Sequence, residues 1–232
     1  MRALRVHVVG NFNSFRPPGS MKYQETLEFP PRTTLIGLAG AALGLASNDL
    51  APLYGALRVA VVRRSLDGRA RDLWSIVKLK KTAPERAVIV RELLARPVYD
   101  VFYMGESPSL DDLADAFRDP AFPCTLGRSD ELVLIMSAEV VDVQPVGSGT
   151  TFRETVLPFD YHEAGCSVES VELQSGVRLR PPRVLRLPES FVFSERGRRV
   201  GRFRSETHVF NVGVIAPGAG GVTDGLSVFV PA

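Results

Sequence analysis

Apolar and polar side chains alternate at the start of the chain, where Leu4, Val6 and Val8 fall on one face and Arg5 and His7 on the other. This alternation predicts a half-buried strand. Three later segments have the apolar content and the bounding turn residues of strands. The four predicted strands cover residues 2–9, 57–64, 73–80 and 132–143.

A helix without a polar face is predicted over 33–46, where the chain holds Leu, Ile, Ala and Gly but no charged residue. Pro30 and Pro31 cannot continue the helix backwards, so we expect the hydroxyl of Thr33 or Thr34 to cap its first turn. Glycine is costly inside a helix, so we expect the three glycines of this segment to allow close approach to a sheet or to another chain. They are Gly37, Gly40 and Gly44.

A second, amphipathic helix is predicted to begin at Ser109, because apolar residues recur at i, i+3, i+4 and i+7 from Leu110 onwards. Ser109 and Asp112 have the spacing of a capping box. Pro120 ends the helical pattern.

The predicted order of elements is strand, helix, two strands, an inserted hairpin, strand, helix and strand. This order is close to a ferredoxin-like βαββαβ unit of the α+β class, the topology with which RRM domains bind single-stranded RNA on their sheet. We expect the unit to cover 1–149, with the insertion near 78–97. After Gly147, short apolar runs broken by turns predict a β-rich C-terminal lobe over 150–232.

Charge is distributed unevenly along the chain, although the formal net charge is only +2. Residues 1–104 have a net charge of +8, residues 105–172 of −11 and residues 173–232 of +5. Most basic residues are arginines, whose planar guanidinium suits bidentate contacts with phosphate and stacking on bases. This pattern favours a polyanion on one side of the molecule and proteins on another. A coding bias towards arginine is an open alternative.

Several classes of protein are disfavoured by the composition. The first residues have no apolar signal core, so we expect neither export nor a membrane anchor. Cys124 and Cys166 form no CxxC motif and fit two unpaired thiols in a reducing cytoplasm. We expect no metal and no cofactor, because Asp111, Asp112 and Asp115 have the spacing of an ordinary solvated helix face.

Four motifs follow one another in a characteristic order: FR at 15–16, PPRTTLIGL at 30–38, RELLARPVY at 91–99 and LGRSDE at 126–131. Together they resemble the Cas5 family of CRISPR-associated proteins, in the RAMP superfamily, whose members cap the five-prime handle of guide RNA in type I Cascade complexes. The resemblance implies a non-catalytic RNA-binding subunit in antiviral defence. It also implies three partners: the five-prime handle of crRNA, the Cascade backbone subunits and the large subunit.

The resemblance further implies where the RNA lies. The segment around Arg16 and Lys22 and the start of the helix at Arg32, Thr33 and Thr34 would lie near the RNA backbone. Elementary physics agrees, since helix N-terminal N–H groups and a nearby arginine favour phosphate.

The inserted hairpin would be a thumb that displaces a base of the RNA. Its candidate contacts are Lys78, Lys80, Lys81, Arg86 and Arg91. Arg128 in LGRSDE is a further candidate, although an arginine beside acidic residues is more often paired internally. Gly127 is predicted to supply a turn.

Two alternatives remain open. One branch of the resembled family cuts precursor RNA without metal, using a tyrosine, a lysine and a histidine. Here the lysine-rich strand has no histidine, and His7, His162 and His208 are scattered over separate predicted elements. That alternative requires His7 to approach Tyr23 or Tyr54 in space. The second alternative is a protein-only scaffold whose arginines pair with its own acidic residues.

Overall fold

The computed structural model describes residues 1–19, 23–79, 83–172, 176, 178–193, 199–216, 220–223 and 226–228. The helices are α1 (Arg32–Ala42), α2 (Ala51–Ala56) and α3 (Leu110–Arg118), and a 3-10 helix covers Ser47–Leu50. The strands are β1 (Arg2–Gly10), β2 (Phe12–Asn13), β3 (Tyr23–Gln24), β4 (Arg58–Ser65), β5 (Gly68–Lys78), β6 (Glu85–Ala95), β7 (Val98–Met104), β8 (Val133–Asp142), β9 (Gln144–Val146), β10 (Thr150–Phe152), β11 (Thr155–Leu157), β12 (Ser167–Val168), β13 (Arg183–Phe193), β14 (Arg199–Val209), β15 (Val214–Ala216), β16 (Gly220–Thr223) and β17 (Leu226–Val228).

The main sheet has seven strands in the order β13-β14-β11-β4-β7-β1-β8. Within it, β4, β7, β1 and β8 form an antiparallel block. Helix α1 follows β1 and helix α3 follows β7, so this block has the connectivity of a ferredoxin-like βαββαβ unit. The predicted mixed class of helices and strands is confirmed.

The core lies between this sheet and the helices. Leu4, Val6 and Val8 of β1 are fully buried on the face that packs against α1 and α3, which confirms the predicted first strand. Helix α3 begins as predicted, because the Ser109 hydroxyl oxygen accepts a hydrogen bond from the backbone N–H of Asp112 at 3.1 Å. The serine cap satisfies one of the free donors of the first turn.

Helix α1 starts earlier and ends earlier than the sequence predicts. Pro31 occupies the N-cap position and no side chain caps the helix, so the prediction of a threonine cap is wrong. Proline can take this position because the first N–H groups of a helix have no intrahelical partner anyway. The helix ends at Ala42, and Gly44 adopts the left-handed conformation (φ +75°) that closes a helix C-terminus.

Strands β5 and β6 form one long hairpin between β4 and β7. Their register runs without a break from the pair Gly68 and Ala95 to the pair Lys78 and Glu85. The predicted strand over 73–80 is therefore an arm of this hairpin and not a strand of the main sheet. The insertion is also longer than the predicted 78–97, because its first arm begins at Gly68.

The C-terminal residues continue the main sheet. Strand β11 pairs with β4 through Thr155 and Val62, and β14 pairs with β11. Leu187 and Phe210 are buried in the same core cluster as the residues of β1. The boundary proposed at residue 149 therefore cuts through the main core, although a smaller buried cluster beyond it consists only of C-terminal residues, namely Phe152, Leu157, Val209, Val214 and Ala216. Two three-stranded sheets, β10-β15-β12 and β17-β16-β9, complete the described C-terminal part.

Strand β8 forms one edge of the main sheet. Its pairing with β1 shifts by one residue between His7 and Val8, which places a bulge in the edge strand. Near the bulge, the guanidinium of Arg118 donates a hydrogen bond to the carbonyl oxygen of Ala138 at 2.9 Å. The edge is thus irregular and carries a cation bound to its backbone.

The described helices include none that is both long enough and apolar enough to cross a bilayer by itself. Helix α1 and the segment 47–56 have that composition only as a pair, and they meet at a bend of 117°. Cys124 and Cys166 are both free thiols. Burial raises the pKa of each of them.

Candidate nucleic-acid interface

A groove of about 990 Å³ runs past the start of α1 and along one side of the hairpin. Its walls come from four parts of the chain: the segment after β2, the first turn of α1, the hairpin, and the turn before β8, with β13 at one end. The residues that line it include Ser14, Phe15, Arg16, Thr33, Thr34, Trp74, Gly127, Arg128, Asp130 and Phe191. Four residues that the sequence predicts as RNA contacts are thereby brought together: Arg16, Thr33, Thr34 and Arg128.

The LGRSDE motif shapes one wall of this groove. Gly127 has φ +122°, and a Cβ at this position would lie 2.5 Å from the carbonyl oxygen of Ser14, so only glycine fits. The carboxylate of Glu131 is only 3% exposed and accepts hydrogen bonds from the backbone N–H groups of Ser14 (2.7 Å) and Arg128 (2.9 Å). The turn at Gly127 is confirmed, and Glu131 ties it to the segment that carries Arg16.

Trp74 on β5 lies beneath two arginines. The guanidinium carbon of Arg128 is 4.6 Å from the centre of the indole ring and that of Arg91 is 5.3 Å away. Each arrangement is a cation–π contact, which is favourable when the ring and the cation are partly desolvated. Trp74 keeps 38% of its surface exposed, so the ring presents area to the groove while it supports both cations.

Positive charge is concentrated on the wall that carries Arg128. Burial lowers the pKa of the Arg128 guanidinium, and the charges of Arg91 and Arg16 lower it further, against the opposing effects of Glu131 and Asp130. Three like charges close enough to act on one another favour an anion between them. Within the described part of the chain, no hydrogen bond or ion pair uses the exposed guanidinium of Arg16.

Arg91 differs from Arg16 in that its charge is already compensated. Its Nε donates to the Asp72 carboxylate at 2.7 Å and an Nη donates to Asp130 at 3.2 Å. Its side chain is 13% exposed. Arg91 therefore positions Trp74 and Asp130 and lies under the groove rather than in it, which makes it a poor candidate for a direct phosphate contact.

Arg32 does not face the groove, which corrects the prediction that it contacts RNA. Its guanidinium donates hydrogen bonds to three backbone carbonyl oxygens, those of Tyr54 (2.7 Å), Leu57 (2.9 Å) and Glu189 (2.9 Å). Burial lowers its pKa, as does the charge of Arg204. A guanidinium held by three carbonyls in its own fold joins α2, β4 and β13 and is not available for phosphate.

The two faces of the hairpin separate the remaining predicted residues. Paired residues share a face, so Lys78, Trp74 and Arg91 lie on one side and Arg86, opposite Val77, lies on the other. Both Lys78 and Arg86 are exposed. The structure thus brings Lys78 to the face of the groove and places Arg86 away from it. Lys22, Lys80 and Lys81 lie outside the described residues.

A family model described as CRISPR-associated protein (Cas_Cas5) matches residues 3–190, most of the chain and all the walls of the groove except the end of β13. This chain belongs to the Cas5 family. The family predicted from the four motifs is confirmed.

Two solved structures resemble the Cas5 chain over nearly its full length. One is titled "CRISPR RNA-guided surveillance complex" and has 20% sequence identity, a TM-score of 0.59 and coverage of 92% of this chain and 91% of that chain. The other is a CRISPR protein from Archaeoglobus fulgidus, with 13% identity, a TM-score of 0.59 and complete coverage of both chains. At these identities the likeness establishes the fold. No curated protein is similar enough to be counted as a relative.

Two aromatic residues of this Cas5 groove, Trp74 and Phe191, were missed by reasoning from the sequence. Trp74 is the only tryptophan of the chain, but it lies between Leu73 and Ser75 in an apolar run, so the sequence does not show that its ring is exposed. Phe191 gives no sign in the sequence either, because it reaches the groove only through the pairing of β13 with β14.

The groups considered for RNA cleavage are spread over the Cas5 fold. His7 lies on the face of β1 opposite the core and its Nδ1 is 2.6 Å from the buried carboxylate of Asp100. Tyr54 packs on the helix side of the sheet, and the hydroxyl of Tyr23 donates to Glu92 on the hairpin at 2.7 Å. Among the residues that the structure describes, no group of three or more His, Cys, Asp or Glu is arranged to hold a metal.

Proposed function

We propose that this Cas5 chain is a non-catalytic subunit of a type I CRISPR Cascade complex that binds guide RNA and caps its five-prime handle. The observation that carries the proposal is the groove. It combines an exposed arginine with no ion-pair partner among the described residues, the N-terminus of a helix and an exposed indole supported by two arginines. These are the components with which proteins hold single-stranded RNA, namely positive charge along the backbone and a ring for stacking.

The composition of the groove also favours RNA over a protein ligand. Backbone phosphates would meet Arg16 and the positive N-terminal end of α1, while a base would meet the Trp74 ring. A protein-only scaffold would pair its arginines internally, as Arg91 does with Asp72 and Asp130. Arg16 departs from that pattern, and the charge on Arg128 is only partly offset by Glu131, whose carboxylate is 3.9 Å away.

The partners in this proposal are crRNA and the other protein subunits of Cascade, and the setting is antiviral defence in the cytoplasm. The match to a chain of a CRISPR RNA-guided surveillance complex supports this assignment, together with membership of the Cas5 family. Capping of the five-prime handle is the finer part of the proposal, and it requires the RNA end to lie in the groove.

We further propose that the chain binds RNA without cutting it. In support, His7 and Tyr54 lie on opposite sides of the main sheet, so the main sheet separates the imidazole from that phenol. General acid–base catalysis requires these groups within hydrogen-bond reach of one reacting ribose. Binding and positioning need no such convergence.

The proposal is tested with end-labelled repeat RNA and the purified protein in excess EDTA. A denaturing gel reports cleavage, and a binding assay at two salt concentrations reports affinity. We expect bound and intact RNA, with an affinity that falls as salt rises. A single defined cut in EDTA would contradict this proposal and support the alternative, a metal-independent nuclease.

Matched variants locate the binding site. Arg16→Ala should lower the slope of log affinity against log salt by about 0.7, the value for one phosphate contact on single strands. Arg2→Ala is the control. Arg2 is an exposed arginine paired with Asp111, and it lies at the start of β1, whereas Arg16 follows the other end of that strand. If the two variants bind RNA equally well, the groove is not the RNA site. A complex whose absorbance at 260 relative to 280 nm shows no nucleic acid would favour the scaffold.

A further inference from the structure

Gly37 is the one glycine inside α1 that packing does not explain. A Cβ on Gly40 would collide with the side chain of Leu50, and Gly44 needs its left-handed backbone, as described above. A Cβ on Gly37 would meet no atom within 4 Å. Because glycine destabilises a helix relative to alanine, a glycine with free space around it suggests that an occupant from outside the chain needs that space.

The space beside Gly37 is a cavity of about 280 Å³. Thr33 lies one helical turn before Gly37 on the same face, and the rings of Tyr54 and Phe191 provide its aromatic walls. A second cavity, of about 320 Å³, adjoins it through Tyr54 and Phe191 and is lined by Arg202. The two volumes lie near the lower end of the range for small-molecule pockets. We call this pair of spaces the Gly37 cavity.

The Gly37 cavity adjoins the groove. Thr33 and Phe191 line both spaces, so an RNA strand that passes the start of α1 in the groove comes within reach of the cavity. Trp74 lines the groove but not the cavity, so the two aromatic sites are distinct.

The chemistry of the Gly37 cavity suits a nucleotide. Phe191 and Tyr54 offer rings to a base, and the exposed Arg202 offers a cation to a phosphate. The nearby carboxylate of Glu189 is already paired with Arg204 at 2.8 Å, which reduces its repulsion of an anion.

We propose that the Gly37 cavity is a subsite for one unpaired nucleotide of the bound RNA, with its base over Gly37 beside Phe191 and Tyr54. This inference rests on the proposed function, because it extends the path of RNA through the groove. It adds a second base-binding position, separate from Trp74, and assigns a role to the glycine that internal packing leaves unexplained.

The experiment places a larger side chain at Gly37, so that this side chain occupies the cavity. Gly37→Leu should keep or raise the melting temperature of the protein, because leucine favours helix, its Cβ meets no atom within 4 Å and the cavity offers room for the rest of the side chain. The same change should weaken binding of handle RNA about tenfold, the effect of losing one stacked base. Gly147→Leu is the control, since a Cβ on Gly147 also meets nothing within 4 Å and Gly147 does not line the groove or the cavity.

A set of RNAs, each with 2-aminopurine at one position, identifies the nucleotide in the cavity. In the wild-type protein one position beyond the groove should be quenched on binding, and Gly37→Leu should abolish that quenching alone. An RNA shortened by that nucleotide should bind both proteins equally.

The outcomes separate this inference from the proposed function. If the wild-type protein binds no RNA, the proposed function fails and the inference fails with it. If Arg16→Ala weakens binding but Gly37→Leu does not, only the inference fails. If Gly37→Leu binds RNA normally but no longer assembles with its protein partners, the cavity receives a protein side chain and the inference is overturned.

Discussion

Trp74 lies at the centre of the candidate site, with two guanidinium groups on its ring and 38% of its surface exposed. Its contribution to binding differs in kind from that of Arg16. Stacking on an indole is insensitive to salt, whereas an arginine that meets a phosphate releases counterions. The two residues can therefore be distinguished by the salt dependence of RNA affinity.

Trp74→Ala should lower RNA affinity about tenfold without a change in the salt slope, because it removes a stacking surface and no charge. Trp74→Phe should retain most of the affinity, since it keeps a ring at the same place. The measurement is a binding isotherm at several salt concentrations. The intrinsic fluorescence of the wild-type protein provides a second readout, because all of its tryptophan emission arises from Trp74. A lower slope in Trp74→Ala would show that the change disturbs Arg128 or Arg91 instead.

Arg32→Ala should destabilise the protein and leave the RNA affinity of the folded molecules unchanged. The substitution leaves three carbonyl oxygens without their donor, and we expect a loss of about 2–4 kcal/mol in the free energy of unfolding. Arg32→Lys should recover little of this, since an ammonium group cannot reproduce the guanidinium fork. Urea unfolding and RNA titration measure the two quantities. If the Arg32→Ala protein is stable but binds RNA weakly, Arg32 contacts RNA after all.

At the scale of elements, Glu28 connects parts of the chain that are far apart in sequence. Its carboxylate, 4% exposed, accepts hydrogen bonds from Arg63 on β4, Arg69 on the hairpin and Arg180 before β13. Burial alone would raise its pKa, but the three guanidinium groups outweigh that effect and lower the pKa to about 2. The hairpin and the C-terminal segment are thus fastened to the same buried acid.

The lowered pKa of Glu28 predicts a pH dependence of stability. The stabilisation is complete above the ordinary pKa of 4.5 and is lost as the pH falls towards 2, where the carboxylate becomes protonated in the folded state. Glu28→Gln should therefore cost about 3 kcal/mol at pH 7, and the difference from wild type should shrink below pH 4.5. Urea unfolding at a series of pH values measures it. Glu139→Gln is the control, because its partly exposed pair with Arg5 should contribute less than about 1 kcal/mol.

The two faces of the hairpin predict different effects for its basic residues. Lys78→Ala should reduce the salt slope of RNA binding by about 0.7, while Arg86→Ala should leave the slope unchanged, because Arg86 lies on the face away from the groove. Changing Lys78, Lys80 and Lys81 together should reduce it further. Equal effects of Lys78→Ala and Arg86→Ala would mean that RNA wraps both faces of the hairpin.

At the scale of the whole molecule, the main sheet extends across the proposed boundary at residue 149. Strand β4 is paired on one side with β7 and on the other with β11, and Leu187 and Phe210 fill part of the core. A fragment of residues 1–149 would expose that edge and lose those side chains. We expect the fragment to be insoluble or only partly folded, as judged by circular dichroism and by cooperativity of unfolding. A cooperative transition in the fragment would restore the two-lobe description.

The sequence predicted the parts of this fold whose signals are local. The first strand was predicted correctly from the alternation around Leu4 and Val6, and the start of α3 from the Ser109 cap. Both signals depend only on residues that are close together in the sequence. The pairing of β11 with β4 was not predictable, because a strand of three residues has too short a pattern and is defined only by its pairing with a distant strand. In the site, the motifs located Arg16 and Arg128, but the side on which Arg32 and Arg86 lie depends on tertiary pairing.

The bulge in β8 and the hydrogen bond from Arg118 to Ala138 have a consequence for how crowded copies of the chain behave. A straight edge strand offers a regular row of donors and acceptors on which a second chain can build a continuous sheet. Here the edge strand carries Leu134 and Met136, which are 67% and 61% exposed. Burial of these side chains would favour the addition of a second chain. The register shift and the bound guanidinium interrupt the row, which disfavours the addition of a second strand at this apolar edge.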